Sequence, residues 1–384
     1  MSPRILYLDV ARGLGCLLVV LGHNDLVAGQ RGVPFAVIFS FHVPLFFFLS
    51  GLFLKVDLPL GELARKRADS LLKPFFVTFL LLAIDDVLLQ SRVEPLEYLK
   101  GVLYANGLTI PWTPLWFLPH LWLLSVVAWL VCRRTRIDQW PLFPQLVALF
   151  GAVVLGASFV EVFLDFRLQV ADAEWVLQGL PFSIDLVLLS GAYFVAGYVM
   201  RQEVRASLRF KPWVTLLVGL LFIGLHTVDE GFTMDLNLRR YDHAVFSTVV
   251  AALGIYLTMS AAWLFAQYTP GVARVLAYVG SGSLFVLIFH QVLQDKAFRW
   301  VSSRLPEARA AAACASFVLA VLAPLVSWEV VKRVKPLALL YLPAGGAHAS
   351  SMRPSGIRET ASAANVDAAE ASSDARKNST RGAA

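Results

Sequence analysis

The sequence predicts an all-α fold: a polytopic membrane helical bundle of about ten transmembrane helices with both termini in the cytoplasm. Three observations carry this. Of the 384 residues, 58% are hydrophobic and only 16% charged, apolar runs near the length of a membrane span recur along the chain, and Lys and Arg gather between alternate runs. A soluble domain carries about 25% charged residues, so a soluble enzyme is excluded. The net charge of +6 does not point to nucleic acid. The basic residues sit in short clusters between apolar spans, which is the pattern that sets membrane orientation.

The first run, 10–27, follows Arg4 as a signal peptide would, yet it is long, contains Arg12 and lacks a small-x-small cleavage site. It reads as a retained span. Hydrophobic runs punctuated by charge, Pro or Gly then place spans at 33–54, 71–89, 115–132, 142–163, 182–200, 213–228, 244–265, 275–292 and 310–331. The third, ending at Asp85 and Asp86, and the seventh are the weakest, with roughly 14 to 16 clean apolar residues against the about 17 to 25 a span needs. With an inside N-terminus, eighteen Lys and Arg fall on the inner side, ten on the outer side and five in the tail. That asymmetry supports the orientation. Trp112, Trp116, Trp175 and Trp300 mark outer edges and Trp140, Trp213 and Trp263 inner ones, as interfacial belts do.

Two regions follow: a transmembrane domain over 1–342 and a tail over 343–384. From Ala344 onward the tail has no aromatic residue and many Ala, Ser and charged residues. It cannot bury enough apolar surface to fold alone, so it is expected to be a disordered cytoplasmic tail. Cys16, Cys132 and Cys314 lie in or at the end of apolar segments with no paired spacing. Neither a disulfide framework nor a metal site is expected.

An ionisable residue inside a bilayer costs roughly 2.5 kcal/mol or more at mid-depth, so each asks for a partner or a role. Arg12 and His23 are eleven residues apart, which returns to nearly the same helix face about 16 Å further along the axis. A cation near the inner end and an imidazole near the outer end line one seam. The plain structural account has Arg12 snorkelling to the headgroups and paired with Asp9, with His23 at the interface. The remaining histidines outside the tail, His42, His120, His226, His243 and His290, also fall on the outer side. Neutral imidazoles there suit general-base chemistry. Asp185, just inside the outer end of the sixth span, is a candidate for lining a cavity or pairing with a histidine, or is a solvated helix-start acid. Glu161 and Asp165 are further boundary acids, and Glu329 is expected to pair with Lys332 or Arg333 at helical spacing.

The stretch Leu8-Asp9-Val10-Ala11-Arg12-Gly13-Leu14 running to Leu21-Gly22-His23 resembles the opening of the integral-membrane acyltransferase family 3, whose first helix carries an Arg, ten residues and a His. The run from Ser40-Phe41-His42-Val43-Pro44 to Leu49-Ser50-Gly51 is similar to its second signature, especially in the fucose 4-O-acetylase-like branch of exopolysaccharide O-acetyltransferases. Weaker likenesses are Leu115-Trp116-Phe117-Leu118 and the segment from Gly280 to His290. The likeness covers about residues 4–335. One departure stands out: where the family often has R-x-x-R before its third helix, this chain has Arg67 followed by Ser70.

The resemblance implies transfer of an acetyl group from cytoplasmic acetyl-CoA, a co-substrate and not a resident cofactor, to a hydroxyl of an extracytoplasmic glycan. It implies a multi-pass protein of a bacterial inner membrane whose partners are lipid, acyl-CoA and glycan. Arg12 and His23 would be catalytic, His23 as general base or acyl-carrying nucleophile and Arg12 as donor anchor or oxyanion stabiliser. Arg65, Lys66, Arg67 and Lys73 would bind the CoA phosphates, although positive-inside topology accounts for the same cluster. His42, Ser50, Trp116, Asp185 and His290 would line the substrate cavity, with helix packing the plainer account of Ser50. A proton-coupled transporter or flippase is the rival reading of the same buried charges, and a non-catalytic envelope partner a third. Deleting residues 344–384 is expected to leave acetyl transfer at wild-type level, measured as acetyl uptake into glycan by membranes carrying the truncated chain.

Overall fold

The computed structural model describes residues 5–84, 94–160, 162–170, 173–206, 210–228 and 231–344. The expectations for Asp85, Asp86, Glu161, the side chain of Asp165 and the tail beyond Ala344 fall outside what is described.

The described chain is a helical bundle with two small hairpins. In order it forms α1 (Leu6–Gly22), α2 (Asp25–Ala28), α3 (Val33–Phe39), α4 (His42–Gly51), α5 (Leu60–Ala83) and α6 (Pro95–Tyr104). A 3-10 turn over Thr113–Trp116 leads into α7 (Phe117–Thr135), which is followed by α8 (Leu142–Val160). Strands β1 (Leu164–Val170) and β2 (Ala173–Gln178) pair antiparallel. A further 3-10 stretch, Pro181–Leu186, opens α9 (Val187–Val199), and α10 (Arg201–Ala206) and α11 (Pro212–Val228) come next. Two-residue strands β3 (Met234–Asp235) and β4 (Arg240–Tyr241) precede α12 (Ala244–Tyr268), α13 (Pro270–Ser281), α14 (Ser283–Ser302), α15 (Arg309–Arg333) and α16 (Lys335–Tyr341). Prolines in the first turn of α3, α6, α11, α13 and α16 sit where a helix lacks an N–H acceptor anyway, so they start helices without breaking them.

Each of the ten apolar runs falls largely on helix. Among the described residues six segments are long and apolar enough to cross a membrane: Val33–Gly51, Thr113–Thr135, Leu142–Val160, Pro181–Val199, Ala244–Tyr268 and Arg309–Arg333. α1 and α11 have 17 residues each, and the first half of α5 carries the basic cluster. The ninth run, 275–292, is not one helix. α13 and α14 meet at Gly282 with a bend of 78°, because the Gly282 N–H closes α13 on Tyr278 and Val279 while its carbonyl starts α14 on Phe285. The second run likewise breaks between Phe39 and His42.

Apolar residues occupy both the interior and the perimeter, as a lipid solvent allows and water does not. Val10, Leu45, Phe47, Leu115 and Phe194 are fully buried, while Phe143 and Leu142 on α8 and Trp213 and Leu217 on α11 are exposed. Two glycine crossings bring backbones into direct contact. A Cβ at Gly13 would overlap the Leu276 carbonyl and one at Gly280 the Asp9 carbonyl, so α1 lies flush on α13. Gly51 and Gly197 do the same for α4 and α9 against the Phe194 and Phe48 carbonyls. Small residues of this kind are what let membrane helices approach closely.

Gly280→Val therefore forces α13 off α1 and is expected to lower the thermal midpoint of the detergent-extracted protein strongly. Gly271→Val, where a Cβ meets open space, is expected to leave it near wild type.

Candidate active site

α1, α4, the start of α7 and α14 surround a cavity of about 230 Å³. Arg12 and His23 both line it, joined along its wall by Cys16 and Val19 of the same helix face. Phe46, Phe117, Leu121 and Leu287 make most of the remaining wall apolar. His42, Ser50, Trp116 and His290 also line it, so four of the five residues expected in the substrate cavity meet there. A second cavity of about 510 Å³ lies under the loops that hold Gly107 to Thr113 and Met234 to Leu238, and it is walled by His23, His42, Trp116, Asp235 and Asn237. His23 and His42 belong to both cavities.

The imidazoles are held in different ways. His42 Nδ1 donates to the Ile38 carbonyl at 2.8 Å and His290 Nδ1 to the Val286 carbonyl at 2.8 Å. A carbonyl only accepts, so in each neutral ring the proton is on Nδ1 and Nε2 keeps its lone pair. The His23 ring lies 5.4 Å from that of His290 and edge-on to Phe39 at 5.7 Å. His23 follows α1 directly, and its neighbour Asn24 pins the turn by donating to the Ala313 carbonyl at 2.9 Å and accepting from the Leu26 N–H.

At the other end Arg12 pairs with Asp9 at 3.3 Å and lies over the Phe53 ring at 5.8 Å. The four residues expected to hold the donor phosphates do not line the cavity. Arg67, half-buried, stands within electrostatic reach of Arg12. Arg65 and Lys66 are exposed, Lys66 being paired with Glu62. Lys73 is engaged elsewhere, bridging Asp69 at 2.6 Å and donating to the Leu342 carbonyl just past α16. Glu329 pairs with Lys332 at 2.6 Å and reaches Arg333 at 3.8 Å, as the spacing suggested.

Asp185 departs from its expected place in the cavity. It forms an ion pair with Arg239 at 2.9 Å, both side chains having no exposed surface, because a buried guanidinium requires a counter-charge. Arg239 also donates to Asn106 Oδ1, the Asn237 carbonyl and Ser183 Oγ. Asn106 in turn donates to the Gln178 carbonyl at 2.7 Å. The loops over the outer cavity are thus tied to one cation. In the sequence Arg239 is one of two adjacent arginines in an outer segment, and nothing local separates it from its neighbour Arg240. Only the remote carboxylate at 185 does so.

His120 is likewise committed, bonding Ser190 Oγ at 2.8 Å and the Phe182 carbonyl at 3.1 Å. Among the described residues no group of three or more His, Cys, Asp or Glu is arranged to hold a metal ion.

A family model described as an acyltransferase domain matches residues 5–329. This chain belongs to acyltransferase family 3. It is therefore a membrane acyltransferase, and the match takes in both Arg12 and His23 while ending inside α15, ahead of α16. No curated protein and no solved structure matches the chain.

Arg239→Ala leaves Asp185 buried without its partner and is expected to destabilise this acyltransferase by about 3–5 kcal/mol. The thermal midpoint of the purified protein checks it. The double variant Arg239→Met with Asp185→Leu is expected to recover part of the loss.

Proposed function

We propose that this acyltransferase moves an acetyl group from cytoplasmic acetyl-CoA to a hydroxyl of an extracytoplasmic glycan, with His23 as general base. The observation that carries the reading is that the two cavities share the His23 wall: one extends toward Arg12 between apolar side chains, the other lies beneath the outer loops. The orientation follows from the positive-inside count, with ten spans and both termini in the cytoplasm of a bacterial inner membrane.

In this reading the CoA phosphates stay at the inner mouth near Arg12, Arg65 and Arg67. The apolar cavity takes the extended pantetheine arm and its thioester. Arg12 lies about 16 Å along the helix from His23, too far to touch the reacting carbonyl, so its role is to anchor the donor. The acceptor hydroxyl gives its proton to the His23 imidazole as its oxygen attacks the thioester carbonyl carbon. The tetrahedral adduct collapses, the C–S bond breaks, and the departing thiolate takes the proton back from the imidazolium. The products are an acetyl ester outside and CoA inside. Among the described residues no hydrogen bond holds the His23 ring, whereas the rings of His42, His120 and His290 are each tied to a backbone carbonyl, which favours His23 as the base.

The broken pair α13 and α14 favours a carrier, since interrupted helices mark substrate sites in transporters. A carrier accumulates its substrate without acetyl-CoA.

His23→Ala is expected to cut acetyl transfer to envelope glycan by about 10²–10⁴-fold, measured with labelled acetyl-CoA in membranes together with CoA release. Transfer at the wild-type rate would sink the base assignment. Arg12→Ala is expected chiefly to raise the KM for acetyl-CoA.

A further inference from the structure

The His290 imidazole is fully buried and lines the inner cavity. Its Nδ1–H is committed to the Val286 carbonyl at 2.8 Å, with the Leu287 carbonyl at 3.1 Å. Nε2 therefore presents a lone pair, and among the described residues it has no hydrogen-bond partner. An acceptor left unmatched in a low-dielectric site is costly, so the group that fills the cavity must supply a donor there. The ring stands 5.4 Å from that of His23. With heavy-atom hydrogen bonds of about 2.8 Å from each ring, an oxygen bonded to one ring and an oxygen bonded to the other can be neighbours on one ligand lying alongside the pair. The outer cavity repeats the pattern: Asn237 Oδ1 is buried on its wall, also without a partner. The unmatched acceptors beside His23 and on the second cavity both suit an acceptor that brings O–H groups to the junction of the two cavities.

We propose that His290 accepts a hydrogen bond from a second hydroxyl adjacent to the one that reacts, so that the acceptor is recognised as a vicinal diol. This rests on the reading of His23 as the base for the first hydroxyl. His290 is then a selectivity residue, binding the neighbour of the nucleophile and turning the nucleophile toward His23. A site built to bond a hydroxyl strongly disfavours an analogue that lacks it.

The test uses membranes carrying the full chain, labelled acetyl-CoA, and envelope glycan stripped of its esters. Half of the glycan is treated with periodate and then borohydride, which cuts the carbon–carbon bond between vicinal hydroxyls while leaving hydroxyl groups in place. Treated glycan is expected to lose acetyl uptake. Uptake that survives treatment and still depends on His23 overturns the diol and leaves the base assignment standing, whereas uptake indifferent to His23→Ala overturns the base assignment itself. His290→Leu is expected to raise the KM for untreated glycan about ten- to a hundredfold, the loss of one matched hydrogen bond in a dry site, with the KM for acetyl-CoA unchanged. His290→Gln, which keeps an acceptor oxygen, is expected to recover most of that rise. An unchanged glycan KM in His290→Leu, or a rise confined to acetyl-CoA, assigns the lone pair to packing or to a pantetheine amide and overturns the proposal.

Discussion

One guanidinium organises the loops at the His23 end of this protein. Arg239 has essentially no exposed surface, and a charge so placed is tolerable only because Asp185 and a ring of oxygens surround it. Those oxygens come from the loop after α6, from the stretch that opens α9 and from the turn between β3 and β4. Three segments far apart in sequence are forced to converge. Gly179, with φ of 78°, lies where any side chain would run into the same guanidinium, so even the backbone there is shaped by it. The roof of the outer cavity is the by-product of satisfying a single charge.

Beneath that roof the placement of the candidate base depends on close backbone contact. Gly13 and Gly280 let α1 lie flush on α13, and Asn24 ties the turn after His23 to α15. His290 sits on α14, which leaves α13 at Gly282. The bend is what turns the outer half of that run toward His23. A straight ninth helix would send His290 elsewhere along the α13 direction.

The sequence made the helical bundle legible because apolar runs and charge clusters are local quantities, although among the described residues only six segments have the length and apolarity of a span and α6, α10 and α16 lie outside the runs. The seam of Arg12 and His23 was also legible, since helical phase alone puts them on one face. His42, Ser50, Trp116 and His290 joined them through motif likeness. What no local pattern exposed was the break at Gly282, because a glycine within an apolar run reads equally well as packing. Asp185 was misplaced for a related reason: its partner is 54 residues away in a stretch whose two arginines look alike. Lys73 looked like part of a phosphate-binding cluster, yet its ammonium is engaged with Asp69 and the chain just beyond α16.

The separation between α1 and the Arg239 network has a consequence for how such a protein diversifies. The groups proposed for chemistry hang from helices locked together by glycine contacts, whereas the outer cavity is roofed by connecting segments anchored at one ion pair. Those segments can be replaced, provided Arg239 and Asp185 are kept, without moving the helix that carries His23. The loop share of the cavity lining can thus vary while the helix-borne histidines His23, His42 and His290 stay where they are.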